Sequence, residues 1–199
     1  GGHYLEGSTD ITRTVALGEV GNIEKEHFTL VARAMLRLAN TVFLYGCSGA
    51  NLDCIAREVF WKEGLNFNHG TGHGVGYLLN IHEGPINFRW KEGERPAPAL
   101  EENMVITDEP GIYIEGSHGI RLENELLVRK TVKNEYGQFM NFEILTYVPI
   151  DLDAILPEKM STEEKGMLNH YHKQVYEKVS PYLSEEERIW LKEYTRAVK

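Results

Sequence analysis

The sequence predicts an α+β domain: a curved antiparallel sheet backed by helices, followed by a helical tail. Three observations carry that expectation. Residues 8–17 and 119–128 alternate as strands do. Two runs between residues 22 and 64 repeat apolar residues at helical spacing. Beyond Pro149, two Ser-x-x-Glu boxes announce helix starts.

Each element has a local reason. Glu6-Gly7 reads as a hairpin turn, and residues 8–17 as its second strand, with Asp10, Thr12 and Thr14 on one face and Ile11, Val15 and Leu17 on the other. Gly21-Asn22 offers an N-cap with Glu24 and Glu26 in the first turn, where carboxylates favour the helix dipole. Phe28, Val31, Met35, Leu38 and Val42 then recur at helical spacing towards Gly46. A second amphipathic run places Leu52, Ile55, Val59 and Phe60 on one stripe and stops at Gly64. Residues 91–98, polar and proline-rich, read as a solvated connection or, alternatively, a substrate-facing loop. Trp90 and Tyr77 are candidates for the wall of a proline pocket or for plain core. In the tail, Ser161/Glu164 opens a helix with Met167, Leu168, Tyr171, Val175 and Val179 on its apolar stripe, and Pro181 ends it. Ser184/Glu187 opens another, carrying Ile189, Trp190, Leu191 and Tyr194. This divides the chain into a domain over 1–150 and a helical extension over 151–199.

The densest chemistry lies in Asn68-His69-Gly70-Thr71-Gly72-His73-Gly74-Val75-Gly76 and the following Ile81-His82-Glu83-Gly84-Pro85. Three imidazoles within a glycine-rich stretch point to a metal or acid/base site, because glycine lets backbone approach backbone or ligand closely. Thr107-Asp108-Glu109-Pro110-Gly111 follows an apolar run. On the strand over 119–128, Arg121, Glu123 and Glu125 project one way and Leu122, Asn124 and Leu126 the other. An acidic row flanked by apolar residues needs counter-charge, and a metal cation supplies it.

Asp10, His73, Glu109 and Glu123 form an ordered Asp, His, Glu, Glu set. With the motifs Ser-Thr-Asp-Ile-Thr-Arg-Thr, His-Gly-Thr-Gly-His-Gly-Val-Gly, Asn-Ile-His-Glu-Gly-Pro, Thr-Asp-Glu-Pro-Gly-Ile-Tyr and Gly-Ile-Arg-Leu-Glu-Asn, the chain resembles the pita-bread metallopeptidases, and most of all the long, three-domain Xaa-Pro aminopeptidases. The resemblance spans the whole chain, tail included. It implies a partial pita-bread fold and hydrolysis of the bond between an N-terminal residue and a following proline. Prolidase activity on Xaa-Pro dipeptides, or a peptide-binding module without catalysis, are the alternatives.

Residue by residue, the resemblance implies that Asp10 and Glu123 bridge two divalent metals while His73 and Glu109 complete one of them, Glu109 also acting as general base. His69 and His82 would contact substrate and the tetrahedral intermediate, and Arg121 would support the ligand strand. Manganese is the expected metal, with zinc or cobalt possible. The family's hairpin opens with Asp-Ser-Gly-Gly, whose Asp binds the second metal. This chain begins at Gly1, after that position, and so reads as a fragment of a longer enzyme, holding one ion or none and impaired in activity. The tail resembles the family's C-terminal extension, where homodimers form.

Composition fits a single soluble core: 199 residues, 42% hydrophobic and 26% charged. A formal charge of −9 disfavours nucleic acid and anionic membranes as partners, and no apolar run approaches membrane-spanning length. Cys47 and Cys54 fit no zinc spacing and read as reduced, buried thiols of a cytoplasmic protein.

Overall fold

A computed structural model describes residues 1–91 and 97–199. Strands β1 (Gly2–Tyr4) and β2 (Gly7–Thr9) form a hairpin turned by Leu5 and Glu6, one residue earlier than expected, with Gly7 at φ +141° supplying the conformation that side chains avoid. The chain then leaves its partner, and only Thr12–Arg13 (β3) pairs again, now with a distant strand. The continuous strand expected over 8–17 is therefore broken. Its supposed apolar face is exposed, at 37% for Ile11, 56% for Val15 and 96% for Leu17. Past Arg13 the chain is held by side chains, Thr14 Oγ1 donating to the Arg121 carbonyl and the Ala16 N–H to Asp151.

Helix α1 (Asn22–Ala39) starts after Gly21, buries Phe28, Val31, Met35 and Leu38, and packs against helix, sheet and tail alike. It stops at Asn40, so Val42 lies outside it and is exposed, contrary to the stripe read from sequence. After β4 (Phe43–Leu44), helix α2 (Gly49–Trp61) begins where Asn51 Oδ1 accepts from the Ser48 N–H at 2.8 Å, and the chain turns away at Gly64, φ +69°. Leu52, Val59 and Phe60 are buried and Ile55 half-buried. Cys54, off that stripe, is exposed and Cys47 half-buried; both are free, so the expectation of buried thiols fails on burial.

Six further strands follow: β5 (Gly72–Gly74), β6 (Glu83–Phe88), β7 (Val105–Asp108), β8 (Gly111–Ile114), β9 (His118–Asn134) and β10 (Gly137–Ile144). They make an antiparallel sheet in the order β4-β10-β9-β7-β5-β6, with β3 and β8 also pairing on β9. Strand β9 is the spine of the domain.

The tail forms as its capping boxes dictate. In α3 (Thr162–Val179) the Glu164 N–H donates to Ser161 Oγ at 3.1 Å, and in α4 (Glu185–Tyr194) the Glu187 N–H donates to Ser184 Oγ at 3.3 Å. Leu168, Tyr171 and Val175 are buried against the domain, a gain of roughly 1.5–3 kcal/mol for each large apolar side chain. The Tyr171 hydroxyl donates to the Val148 carbonyl at 2.7 Å and accepts from Arg13 at 2.6 Å, tying α3 to β3. On α4 only Leu191 is buried; Ile189 and Trp190 face solvent.

Candidate metal centre

The site grows from one interruption in the ladder along β9. Asp108 of β7 pairs with Asn124, and Gly111 of β8 pairs with Arg121. The register is unchanged across the gap, so Glu109 lies opposite Glu123. Pro110 has no N–H to give the ladder there. Like charges directly opposite destabilise a sheet, and here both are buried, Glu109 at 9% and Glu123 at 2% exposure. On the other edge of β9, β3 sets Thr12 against Glu123, and the same register places Asp10 beside Glu125, whose Oε1 accepts the Asp10 N–H at 2.8 Å.

His73 enters from β5, squeezed between β6 and β7. A Cβ at Gly72 would strike the Thr107 carbonyl and one at Gly74 the Glu83 carbonyl, so the flanking glycines are what lets the imidazole strand fit. The His73 Nδ1 lies 2.9 Å from the Gly74 carbonyl. A carbonyl only accepts, so Nδ1 carries the proton and Nε2 presents its lone pair. That Nε2 is 3.2 Å from Glu109 Oε1 and 3.5 Å from Asp10 Oδ2, buried and without a hydrogen bond of good geometry among the described residues.

Two sets of donor atoms each fall within 4.8 Å of one another: Asp10, His73 and His82, and His73, Glu109 and Glu123. An orphaned imidazole nitrogen facing buried carboxylates is the donor set a divalent cation takes, and the residues fit one. The four predicted ligands thus gather about His73 in two sets, Asp10 on one side and Glu109 with Glu123 on the other.

The electrostatics agree. Burial, then Glu109 and Asp10, push Glu123 up to about 7, although the Thr12 hydroxyl donated to its Oε2 at 2.6 Å opposes the shift. Burial raises Glu125 as well. Burial also pushes Glu109 upward, but His73, Arg121 and Thr107 outweigh it and leave this carboxylate below its usual range. His73 is pulled down by burial and raised further by Glu109, Gly74 and Asp10. Burial among neighbouring carboxylates thus makes Glu123 and Glu125 harder to ionise, and a cation placed between them would relieve that cost. Asp108, fully buried on the strand before Glu109, is driven well above the usual carboxylate range by burial and then by the charges of Glu109 and Glu123.

The expected catalytic residues flank this cluster on two sides. The His82 ring lies edge-on to His73, centroids 4.3 Å apart. His69 sits apart, edge-on to Tyr113 at 5.5 Å, its Nδ1 2.7 Å from the Gly70 carbonyl and its buried Nε2 without a partner among the described residues. Burial lowers its pKa, which keeps the ring neutral. Arg121 reaches Glu109 Oε2 at 3.4 Å and lies over the Tyr113 ring at 5.7 Å.

Sequence reasoning left Thr12, Thr107, Glu125 and Tyr113 without roles. Thr107 Oγ1 accepts the His73 N–H at 3.0 Å and donates to Glu109 Oε1 at 3.2 Å, linking two candidate ligands. The signal was present: Thr12 shares the Asp10 face and Tyr113 lies two residues past Gly111. Tyr77 is exposed, with its hydroxyl donated to the Leu5 carbonyl. Trp90, 42% exposed and so not plain core, packs edge-on to Trp61 at 5.7 Å and lines a cavity with His69 and Gly70. Of the loop over 91–98, residues 92–96 lie outside the described ones.

Residues 1–130 match the model of metallopeptidase family M24, and residues 138–198 match that of the C-terminal region of the same peptidases. This chain belongs to metallopeptidase family M24. A probable Xaa-Pro aminopeptidase P of Paracoccidioides brasiliensis is 41% identical over the whole chain, which covers 33% of that relative. One from Aspergillus oryzae is 40% identical, with 31% of it covered. Among solved structures, the X-prolyl aminopeptidase of Caenorhabditis elegans, described as a cytosolic enzyme with a di-nuclear active site, superimposes with TM-score 0.91 at 37% identity, over 98% of this chain and 32% of that one. The prolidase of Pyrococcus horikoshii gives TM-score 0.60 at 33% identity over 75% of this chain and 39% of its own. The sheet and its helices are those of the pita-bread fold. The chain spans about a third of the length of the aminopeptidases it matches, 33% of the first relative.

Proposed function

We propose that this chain carries the metal centre of an aminopeptidase that releases an N-terminal residue preceding proline. The observation that supports it most is the bare His73 Nε2 facing Glu109, itself opposed to Glu123 across the gap at Pro110. Asp10, His73, Glu109 and Glu123 would hold divalent metal, two ions in the whole enzyme and manganese by preference. Bound there, the cations would lower the pKa of a shared water and polarise the scissile carbonyl. Glu109, kept below the usual carboxylate range, accepts the proton of the attacking water. His82, beside His73, donates to the oxyanion as it develops, and neutral His69, backed by Tyr113, positions the substrate amide. Arg121 holds Glu109 in place through its contact at 3.4 Å.

The division into a catalytic domain over 1–150 and an extension over 151–199, a homodimer through that extension, and a cytoplasmic location complete the reading. None of the described helices is long and apolar enough to cross a membrane. The match to the C-terminal region model favours an aminopeptidase over a prolidase, because the prolidase match leaves a quarter of the chain uncovered. Side-by-side assays of Xaa-Pro dipeptides and Xaa-Pro-Xaa tripeptides on the full-length natural protein decide between them. Cleavage confined to dipeptides would establish a prolidase, and cleavage of neither, with metal bound, a binding module.

A further inference from the structure

Behind the metal centre, α2 carries a buried ion pair that the chemistry above does not use. Arg57 is 1% exposed and Asp53 0%, with Nε 2.5 Å from Asp53 Oδ2. A charge pair this deep is costly to desolvate and adds little stability by itself. The guanidinium spends its remaining donors on the segment bearing His69: one terminal nitrogen donates to the Phe67 carbonyl at 2.7 Å and to Asn66 Oδ1 at 3.3 Å, the other to the His69 carbonyl at 2.6 Å. Its Cζ lies over the Phe67 ring, 4.0 Å from the centroid, and Phe67 in turn lies 4.8 Å from the His69 ring, centroid to centroid. Asp53 Oδ1 takes the Thr71 hydroxyl, and the Thr71 carbonyl accepts the Glu109 N–H at 2.7 Å.

We propose that Arg57 and Asp53 are positioning residues for the reaction, fixing the His69 imidazole through its own backbone and, through Thr71, the backbone of Glu109. The fork does what no single donor can. It clamps two carbonyls of one loop in a fixed plane, where a lysine ammonium could satisfy one of them without setting the angle between them. Among the described residues His69 has no side-chain hydrogen bond beyond the Gly70 carbonyl, so its aim depends on this backbone clamp.

The kinetic part rests on the aminopeptidase reading. In the full-length natural protein, Arg57→Lys should lower kcat about tenfold with KM and manganese content unchanged, since misplacing a catalytic group costs rate more than binding. In a His69→Ala background the same change should alter kcat by less than about twofold, because residues acting through one another are not additive. Should Arg57→Lys fold poorly, Thr71→Val removes the arm that runs from Asp53 to the Glu109 backbone and should lower kcat with manganese content and the His69 spectrum unchanged; wild-type kcat would overturn that arm. A second readout needs neither metal nor turnover: long-range 1H–15N spectra of the metal-free protein. Wild type should show His69 in the single Nδ1–H tautomer, and Arg57→Lys a mixture. Additive kinetic losses together with an unchanged His69 spectrum would overturn the proposal. Absence of Xaa-Pro cleavage would remove the aminopeptidase reading alone and leave the spectra to decide the clamp.

Discussion

His172 provides a pH test of how the tail is held to the domain. It lies on α3, fully buried, and its Nε2 accepts the Ile150 N–H at 3.0 Å. A protonated ring would set N–H against N–H. Burial, with the Arg13 and Arg196 charges adding to it and nearby backbone opposing, lowers its pKa from 6.5 to about 4. Between those values the unfolded chain binds a proton that the folded chain refuses, so stability is complete above the unfolded value and falls as the solution is acidified towards the folded one. The full interval is worth about 3 kcal/mol at 1.36 kcal/mol for each pKa unit. Descending from pH 7.5 to pH 5 crosses most of it, about 2 kcal/mol, a large share of the ~5–15 kcal/mol that typically holds a domain. Urea unfolding of wild type and His172→Gln at both pH values isolates this group, since glutamine can accept from Ile150 but does not titrate here. Wild type should lose about 2 kcal/mol more than the variant over that interval. Parallel pH dependence in the two proteins would refute the assignment. The consequence reaches the metal centre, because α3 holds Arg13 through Tyr171 and Arg13 sits on the strand that delivers Thr12 to Glu123.

Other expectations follow from the site and the tail. In the full-length protein, Glu109→Gln should preserve the fold, seen by circular dichroism, and cut metal-saturated turnover by on the order of 100-fold or more, with His73→Ala at least as damaging; wild-type turnover in either would remove that residue from the centre. The two donor sets share the single free nitrogen of His73, so calorimetric titration of this 199-residue chain with Mn2+ should find at most one tight site, and two tightly held ions would contradict the shared-donor geometry. Trp190 and Tyr194 stack at 4.3 Å on α4, with Trp190 56% exposed, an aromatic pair of the kind buried at interfaces. Trp190→Ala with Tyr194→Ala should therefore convert a dimer to monomer by light scattering; an unchanged mass, or a wild-type monomer at micromolar concentration, would confine the tail to packing on its own domain.

The elements with short-range causes were legible in the sequence. Capping boxes at Ser161 and Ser184, the glycine stop at Gly64 and the stripe of α2 depend on neighbours within a few residues, and each appears where it reads. So were the candidates for metal ligation, since histidines among glycines and carboxylates on an apolar strand have few bland uses. What the linear pattern could not decide was who stands opposite whom. Alternation alone made residues 8–17 one strand with an apolar underside, whereas pairing with β9 across more than a hundred residues broke it and left Leu17 in solvent. The same long-range register set Glu109 against Glu123 and Asp10 beside Glu125, and the fold brought Arg57 under His69. Residue type determined which groups could bind a cation. Only the tertiary structure decided that their lone pairs meet, because cross-strand neighbours are chosen by sheet register and packing, which no local stretch of the chain contains.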